Sequence, residues 1–467
     1  MLFTSNLYLI YLPVVLLLYY RLEPRGRRMM LLAASWLFYM LYNPWFMWII
    51  LATTSVDWIA GKGISSTENP KARRLWIVAS VVSNMGLLGY FKYSTFTLEN
   101  LNLLGNFISP RVASLVWRGA LPLGISFHTF QGISYVVDVY RKHMKPVDSF
   151  FEFALFVSFF PQLVAGPIVR APEFIPQVKF TSRADSVAFR RGLARIIFGM
   201  FKKVYVADAI APWVSDAYAG PNRFSGAGLL IATVAFTTQI YCDFSGYSDI
   251  AIGSAALFGI KLPENFDAPY LSRSITEFWR RWHMTLSRWL RDYLYIPLGG
   301  NRRGKIRTYI NLMITMLLGG LWHGSGWNWL VWGGIQGAVM SVERLTGLDK
   351  VPQSRTGQFA RWLSTLAVVL ISWIFFRARS YSHAMLVLTR ILSWSPGVIH
   401  TENRSFVFAV GGLTLVLVAE WFNLKQRFLA WSETRETAMR WLVYACMAIF
   451  AVTFSRAPNQ EFIYFAF

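Results

Sequence analysis

Long apolar runs recur along the whole chain of 467 residues, and they limit its fold more than any other feature. A membrane-spanning helix needs roughly 20 mostly apolar residues, so these runs predict about eleven spans in an all-α, polytopic integral membrane protein. The runs at 226–258 and 309–342 are too long for one perpendicular span, and each holds either two segments or a tilted helix with a re-entrant piece. The candidate spans lie at about 5–20, 29–51, 75–95, 114–138, 150–168, 187–210, 226–258, 309–342, 361–376, 405–424 and 438–455.

Composition supports a membrane protein. Hydrophobic residues make up 55% of the chain and charged residues only 15%, whereas a soluble domain has roughly 25% charged residues. The net charge of +22 is typical of cytoplasmic loops rich in Lys and Arg, and no nucleic-acid partner is expected. Membrane lipids are expected partners of such a surface. Basic clusters after the first run and two spans later predict an outside N-terminus: Arg21, Arg25, Arg27, Arg28, Lys62, Lys71, Arg73 and Arg74.

The segment 263–308 is too charged to cross lipid and too aromatic for an ordinary loop. Aromatic residues recur at helical spacing from Ser274 to Tyr295, which predicts one amphipathic helix that lies in the interface or dips into a cavity. Ser274 and Glu277 form an S-x-x-E capping box at its start. We place the densest basic cluster at the cytoplasmic face: Arg280, Arg281, Arg288, Arg291, Arg302, Arg303, Lys305 and Arg307.

Histidines inside apolar runs are the first candidates for chemistry, because ionisable groups in a membrane are costly and usually functional. His323 stands in LLGGLWHGSGWNWLVWGG, where the flanking glycines would open space for a ligand beside the imidazole. The alternative is a packed structural histidine. His283, in FWRRWHMTLS, is either a site residue or an interfacial ring, and His128, in GISFHTFQG, ranks third. A histidine acting as general base suits chemistry near neutral pH.

The sequence lacks the motifs of several other classes of enzyme. The sequence has no G-x-S-x-G elbow, P-loop or G-x-G-x-x-G fingerprint, and its histidines show no metal-ligand spacing, so no metal site is expected. Cys242 and Cys446 lie in apolar contexts and are predicted to be small buried hydrophobes.

Polar residues mark two further places in the apolar runs. Asp243 and Asp249, in YCDFSGYSDIAIG, either bind a cation, relay protons as in a proton-coupled transporter, or pair with basic residues such as Arg280 or Arg281, and we favour pairing. Gln162 and Arg170, in FFPQLVAGPIVR, frame a Pro-Gly-Pro break that predicts a re-entrant turn.

Several sequence segments, taken together in their order along the chain, resemble the membrane-bound O-acyltransferase family. They match its bacterial branch of alginate, peptidoglycan and cellulose O-acetylation subunits, most strongly over 120–345. The segments are LPLGISFHTFQGISYVVDVYR, FFPQLVAGPIVR, YCDFSGYSDIAIG, NFDAPYLSRSITEFWRRWHMTLSRWLRDYLYIPLGGNRRG, GGLWHG and the closing QEFIYFAF. The resemblance implies a helical ring with a central tunnel, and it implies that His323 and His283 are the catalytic residues.

The resemblance also implies the reaction and its partners. An acyl-CoA donor, acetyl-CoA above all, would deliver an acetyl group to a polysaccharide through a periplasmic SGNH-type acetyltransferase, with no permanently bound cofactor. The protein would be a multi-pass protein of the bacterial inner membrane. We expect one membrane domain over 1–467, with a catalytic core at 120–345 and an aromatic tail at 456–467. The alternatives are a proton-coupled transporter and a non-catalytic scaffold of a polysaccharide export complex.

Overall fold

The regular structure of this chain is helical, as the apolar runs predict. The computed structural model describes residues 3–103, 117, 119, 121–164, 166–179, 183–399, 403–434, 437–454 and 463. Within these ranges every named element is a helix, and one isolated bridge pairs Phe224 with Val398. The prediction of an all-α chain is therefore confirmed for the described part of the protein.

The chain divides into two compact units, and the first comprises Met1–Phe189 and Ser254–Pro263. A π-helix at Gly89–Tyr93 continues α4 directly into α5, which makes one long helical stretch. The helices of this unit are α1 (Asn6–Arg21), α2 (Pro24–Met40), α3 (Phe46–Ser65), α4 (Pro70–Leu88), α5 (Ser94–Leu103), α6 (Ile125–Tyr140), α7 (Phe150–Ser158), α8 (Phe160–Leu163) and α9 (Ala171–Lys179).

The second unit comprises Arg190–Gly253 and Glu264–Phe467. It holds most of α10 (Ser186–Met200) and of α12 (Gly226–Leu257), together with π-helices at Phe201–Ala207 and Arg291–Tyr295 and a 3₁₀ turn at Pro269–Leu271. Its other helices are α11 (Asp208–Ala219), α13 (Ile275–Arg281), α14 (Met284–Leu290), α15 (Lys305–His323), α16 (Trp327–Thr346), α17 (Arg355–Arg377), α18 (Tyr381–Leu392), α19 (Asn403–Trp421), α20 (Leu424–Thr434) and α21 (Thr437–Phe454).

Three helices of the described chain are long and apolar enough to cross a membrane: Pro70–Asn102, Gly226–Leu257 and Arg355–Arg377. The predicted total of about eleven spans and the central tunnel stay predictions. The two overlong runs now have different explanations. The run at 226–258 is the single 32-residue helix α12, whereas 309–342 divides into α15 and α16 at Gly324–Gly326.

Three sequence-based helix boundaries are wrong, one of them at a proline and one at a corner held by loop contacts. The run at 29–51 contains a turn between α2 and α3, where Pro44 disfavours helical backbone at the residue before it. The run at 150–168 contains only the 9-residue α7 and the short α8. The predicted helix from Ser274 to Tyr295 breaks after Arg281, as described below.

Glycine allows α15 and α16 to pack with their backbones in contact. A Cβ atom added at Gly333 would lie 2.3 Å from the carbonyl oxygen of Met316, and one added at Gly320 would lie 2.3 Å from that of Trp329. A side chain at either position would push the helices apart. This close pair sets the position of His323, the last residue of α15.

Candidate active site

His283 lies at a sharp corner between α13 and α14. Its backbone adopts the left-handed conformation, with φ 43° and ψ 52°, which costs about 1–2 kcal/mol for a residue other than glycine. Backbone hydrogen bonds hold the corner from both sides, since Asp267 N–H donates to Arg281 O (3.0 Å) and Met284 N–H donates to Asn265 O (3.0 Å). Helical spacing alone gave no sign of this break, because the apolar pattern continues across it.

The first side of the corner, α13, is capped as the sequence predicts. Ser274 Oγ accepts from Glu277 N–H at 3.0 Å, and Glu277 Oε2 accepts from Arg273 N–H at 2.8 Å. A second carboxylate adds to this cap, because Glu343 of α16 accepts from Ile275 N–H at 2.6 Å. Sequence analysis missed Glu343, although an acidic residue at the end of an apolar run was a usable signal.

The imidazole of His283 is completely buried, with 0% of its surface exposed. Phe244 meets it edge to face, with ring centroids 4.7 Å apart. Its Nδ1 lies 3.1 Å from Asn265 Oδ1, and within the described chain Nε2 has no hydrogen-bond partner. Burial lowers the pKa of His283 to about 3, so the ring is neutral at neutral pH and can accept a hydrogen bond.

His323 is also buried, at 4% exposure, but aromatic rings surround it. The ring centroids of Trp322, Trp332 and Phe376 lie 4.9, 5.1 and 5.4 Å from its own, and Trp329 stacks at 6.3 Å. One of the glycines that were expected to open space for a ligand, Gly324, is instead packed against Trp329. A Cβ atom at Gly324 would lie 2.1 Å from Trp329 Nε1.

The two histidines share one neighbour, the indole of Trp322. Its ring centroid lies 6.1 Å from that of His283 and 4.9 Å from that of His323. The structure therefore brings together the two residues predicted as catalytic.

One face of α16 supports the surroundings of both histidines. Trp329 and Trp332 contact His323, Gln336 accepts from Trp279 Nε1–H of α13 at 3.0 Å, and Glu343 caps α13. Spacings of three, four and seven residues bring side chains to the same side of a helix. Rotation or displacement of α16 would therefore disturb both histidines.

The prediction that the acidic residues of α12 pair with basic residues is confirmed, but with different partners. Asp249 Oδ1 lies 2.8 Å from Arg195 Nη2, and its Oδ2 lies 2.5 Å from Lys202 Nζ. Arg281, one of the expected partners, instead pairs with Glu277 at 2.9 Å. Arg281 finds its partner within α13, whereas Asp249 meets basic residues of α10 and of the π-helix that follows it.

Asp243 pairs with Lys203, whose Nζ lies 2.6 Å from Oδ1. Its Oδ2 accepts a 2.7 Å hydrogen bond from the backbone N–H of Ile463. The aromatic tail predicted at 456–467 lies outside the described residues except for Ile463, which is buried beside Asp243. The following residue in the helix, Phe244, contacts His283, so the anchor of Ile463 lies next to a wall of the candidate site.

The structure also places the other residues predicted from the sequence. His128 is buried in α6 of the first unit, and Cys242 is buried as expected. The prediction for Cys446 is wrong, because it is exposed on α21, where an apolar sequence context reflects a hydrophobic outer face. Gln162 lies in α8 and donates to Phe156 O at 2.5 Å, and Arg170 precedes α9 after non-helical backbone.

Comparison with known proteins identifies the relatives of this chain. The model of the membrane-bound O-acyltransferase family matches residues 138–382. The chain belongs to the membrane-bound O-acyltransferase family. Its helical structure agrees with this assignment, and the match covers both candidate histidines.

The relatives are named for acyl transfer to alginate, peptidoglycan and teichoic acid. The chain is 40% identical over 434 residues to a probable alginate O-acetylase of Pseudomonas aeruginosa, covering 91% of this chain and 82% of that protein. It is 36% identical over 430 residues to a peptidoglycan O-acetyltransferase of Helicobacter pylori, at 83% and 79% coverage. A teichoic acid D-alanyltransferase of Bacillus subtilis is 28% identical over 261 residues, at 53% and 65% coverage. The protein is therefore a membrane O-acyltransferase.

Proposed function

We propose that this membrane O-acyltransferase moves an acetyl group from a cytoplasmic thioester donor, acetyl-CoA, toward a cell-surface polysaccharide. The relatives are named for acetylation of alginate and of peptidoglycan, which supports an acetyl group and a glycan acceptor. The proposal includes that the protein crosses the bacterial inner membrane several times, since the donor and the acceptor lie on opposite sides of that membrane.

Two buried histidines against one indole are the observation that carries the chemistry. We assign His323 as the general base that removes the proton from an attacking hydroxyl. The hydroxyl oxygen attacks the acetyl carbonyl carbon, the bond from that carbon to sulfur breaks, and the thiolate takes up the proton. His283 assists by accepting a hydrogen bond through Nε2 from a second donor group of the bound reactants, which orients them for attack.

Enclosure by aromatic rings suits a reaction that must avoid water. Trp322, Trp329, Trp332 and Phe376 surround His323, and exclusion of water would suppress hydrolysis of the thioester. The same burial strengthens electrostatic interactions with charge that develops on the carbonyl oxygen.

The basic segment that runs into the start of α15 supplies a surface for the donor's phosphates. Arg302, Arg303, Lys305 and Arg307 are all exposed, and Arg and Lys form strong charge-assisted hydrogen bonds to phosphate. We propose that this stretch faces the cytoplasm and attracts the anionic donor. A periplasmic SGNH-type acetyltransferase would then receive the acetyl group and pass it to the polysaccharide.

The test is transfer of the acetyl group from radiolabelled acetyl-CoA by purified protein reconstituted in nanodiscs. Wild type and His323→Ala are assayed with and without the periplasmic partner, and His143→Ala serves as an exposed-histidine control. We expect wild type and the control to transfer label, and His323→Ala to lose transfer on the order of 10³-fold. Wild-type rates in His323→Ala would overturn the role of His323.

Two further assays test the alternative functions, uptake into liposomes for the transporter and complex assembly for the scaffold. Accumulation of a substrate without acyl transfer would identify a transporter, and loss of complex assembly without loss of transfer on tail deletion would identify a scaffold. The acidic residues that raised the transporter alternative, Asp243 and Asp249, both pair with basic side chains in the structure.

A further inference from the structure

Asn265, which sequence analysis did not single out, lies at the centre of the polar contacts around His283. It sits in the loop before α13 and is 1% exposed. Its side-chain oxygen is within hydrogen-bond distance of Thr285 Oγ1 (2.9 Å), Thr285 N (3.4 Å) and His283 Nδ1 (3.1 Å). Its side-chain nitrogen lies 3.2 Å from Ser248 Oγ of α12.

These contacts fix which way the amide points. The backbone N–H of Thr285 can only donate, so the atom that faces it must be the amide oxygen. The amide nitrogen then faces Ser248, whose hydroxyl can accept. Asn265 thus presents a pure acceptor to the imidazole of His283.

The acceptor decides where the proton of a neutral imidazole resides. Because Asn265 Oδ1 cannot donate, His283 Nδ1 must carry the hydrogen and Nε2 must carry the lone pair. Nε2 is buried, and in the described part of the chain it has no hydrogen-bond partner. A buried acceptor left without a donor is unfavourable, so a donor supplied by the substrate would relieve that cost.

We propose that Asn265 is a positioning residue for the transfer reaction, which holds His283 as the Nδ1–H tautomer and so presents Nε2 as a hydrogen-bond acceptor to the bound reactants. The proposal rests on the proposed function for the reaction itself. The tautomer, however, is a property of the resting protein and can be measured without any turnover.

A structural role for Asn265 must be separated from this one. Its backbone oxygen accepts from Met284 N–H and its side-chain oxygen accepts from Thr285 N–H. Asn265 therefore satisfies two backbone donors at the start of α14, where His283 offers no side-chain cap. Loss of such a cap lowers stability, and a decrease in activity alone would not distinguish the two roles.

A double-mutant cycle makes the distinction. Asn265→Ala should lower the transfer rate on the order of 10²-fold in the wild-type background, but less than about threefold in a His283→Ala background. The same loss in both backgrounds would show that Asn265 acts only on the fold and would overturn the proposal. Thr285→Val is the matched control, because it removes one donor to the amide oxygen but keeps the contact to His283.

Nitrogen-15 spectra of histidine-labelled protein in nanodiscs test the tautomer directly. His283 is assigned by the signals that disappear in His283→Gln. We expect a protonated Nδ1 and an unprotonated Nε2 in wild type, and loss of this preference in Asn265→Ala. A wild-type signal from Nε2–H would overturn the proposal. This part of the test does not depend on whether Asn265→Ala folds.

The two measurements keep the proposals distinguishable. If wild type shows the Nδ1–H tautomer but transfers no acetyl group, the proposed function fails and the assignment of Asn265 as the tautomer-setting residue stands. If wild type transfers acetyl and His283 carries its proton on Nε2, the proposed function stands and the role of Asn265 fails.

Discussion

His283 and His323 are both buried, yet the protein holds them in different ways. Hydrogen bonds from a loop fix His283, with Asn265 on Nδ1 and backbone bonds around its strained corner. Aromatic rings and two helix backbones in contact surround His323. The difference indicates separate roles for the two residues. The hydrogen bonds of His283 select its protonation state, whereas the ring packing around His323 fixes its position and excludes water.

A change of the polar contact itself should have a larger effect than a change in the packing around it. His283→Gln keeps a polar side chain of similar size but removes the ring nitrogen that faces the site. Transfer should fall on the order of 10²-fold, while the melting temperature in detergent changes little. The exposed His143→Ala serves as the control, and a His283→Gln protein with more than a third of the wild-type rate would contradict the role.

The packing side is tested by adjacent glycines of α16. A Cβ atom at Gly333 would lie 2.3 Å from Met316 O, whereas one at Gly334 has only Leu317 Cδ2 at 3.7 Å. Gly333→Ala should destabilise the protein by about 2 kcal/mol through overpacking and lower the transfer rate. Gly334→Ala should be nearly neutral. Equal thermal shifts for the two variants would show that the helix contact does not support the site.

Acid pH tests the burial of His283. Its folded pKa is about 3, below the value near 6.5 of an unfolded chain. The stability from its neutral burial is therefore complete above pH 6.5 and is lost as the pH falls toward 3. Wild type should lose about 1 kcal/mol more than His283→Gln between pH 7 and 5.5. Melting curves at both pH values measure this, and parallel losses would contradict the pKa shift.

The smallest effect is expected from a conservative change in the aromatic surroundings. Trp332→Phe keeps a ring beside His323 and removes an indole N–H that has no hydrogen-bond partner in the described chain. Transfer should fall by only about threefold, because the change costs less than about 1 kcal/mol. A loss as large as that of His283→Gln would assign the indole N–H a direct part in the reaction.

The sequence predicts the parts of this site that follow from local pattern. Apolar runs predict the helices, the Ser274 cap begins α13, and the two histidines stand out as ionisable groups in apolar surroundings. What decides the site is not local. The corner at His283 depends on bonds from residues 265–267, and the partners of Asp249 come from other helices. Neither contact leaves a periodic signal in the sequence.

The most direct test of the central claim is whether the two histidines act as one catalytic unit. The initial rate of acetyl transfer in nanodiscs is measured for wild type, His283→Gln, His323→Gln and the double variant. Residues that act as a unit are non-additive. We predict that each single variant loses at least about 10²-fold and that the double variant loses less than about tenfold more. Losses that multiply, or a His323→Gln protein with the wild-type rate, would contradict the account.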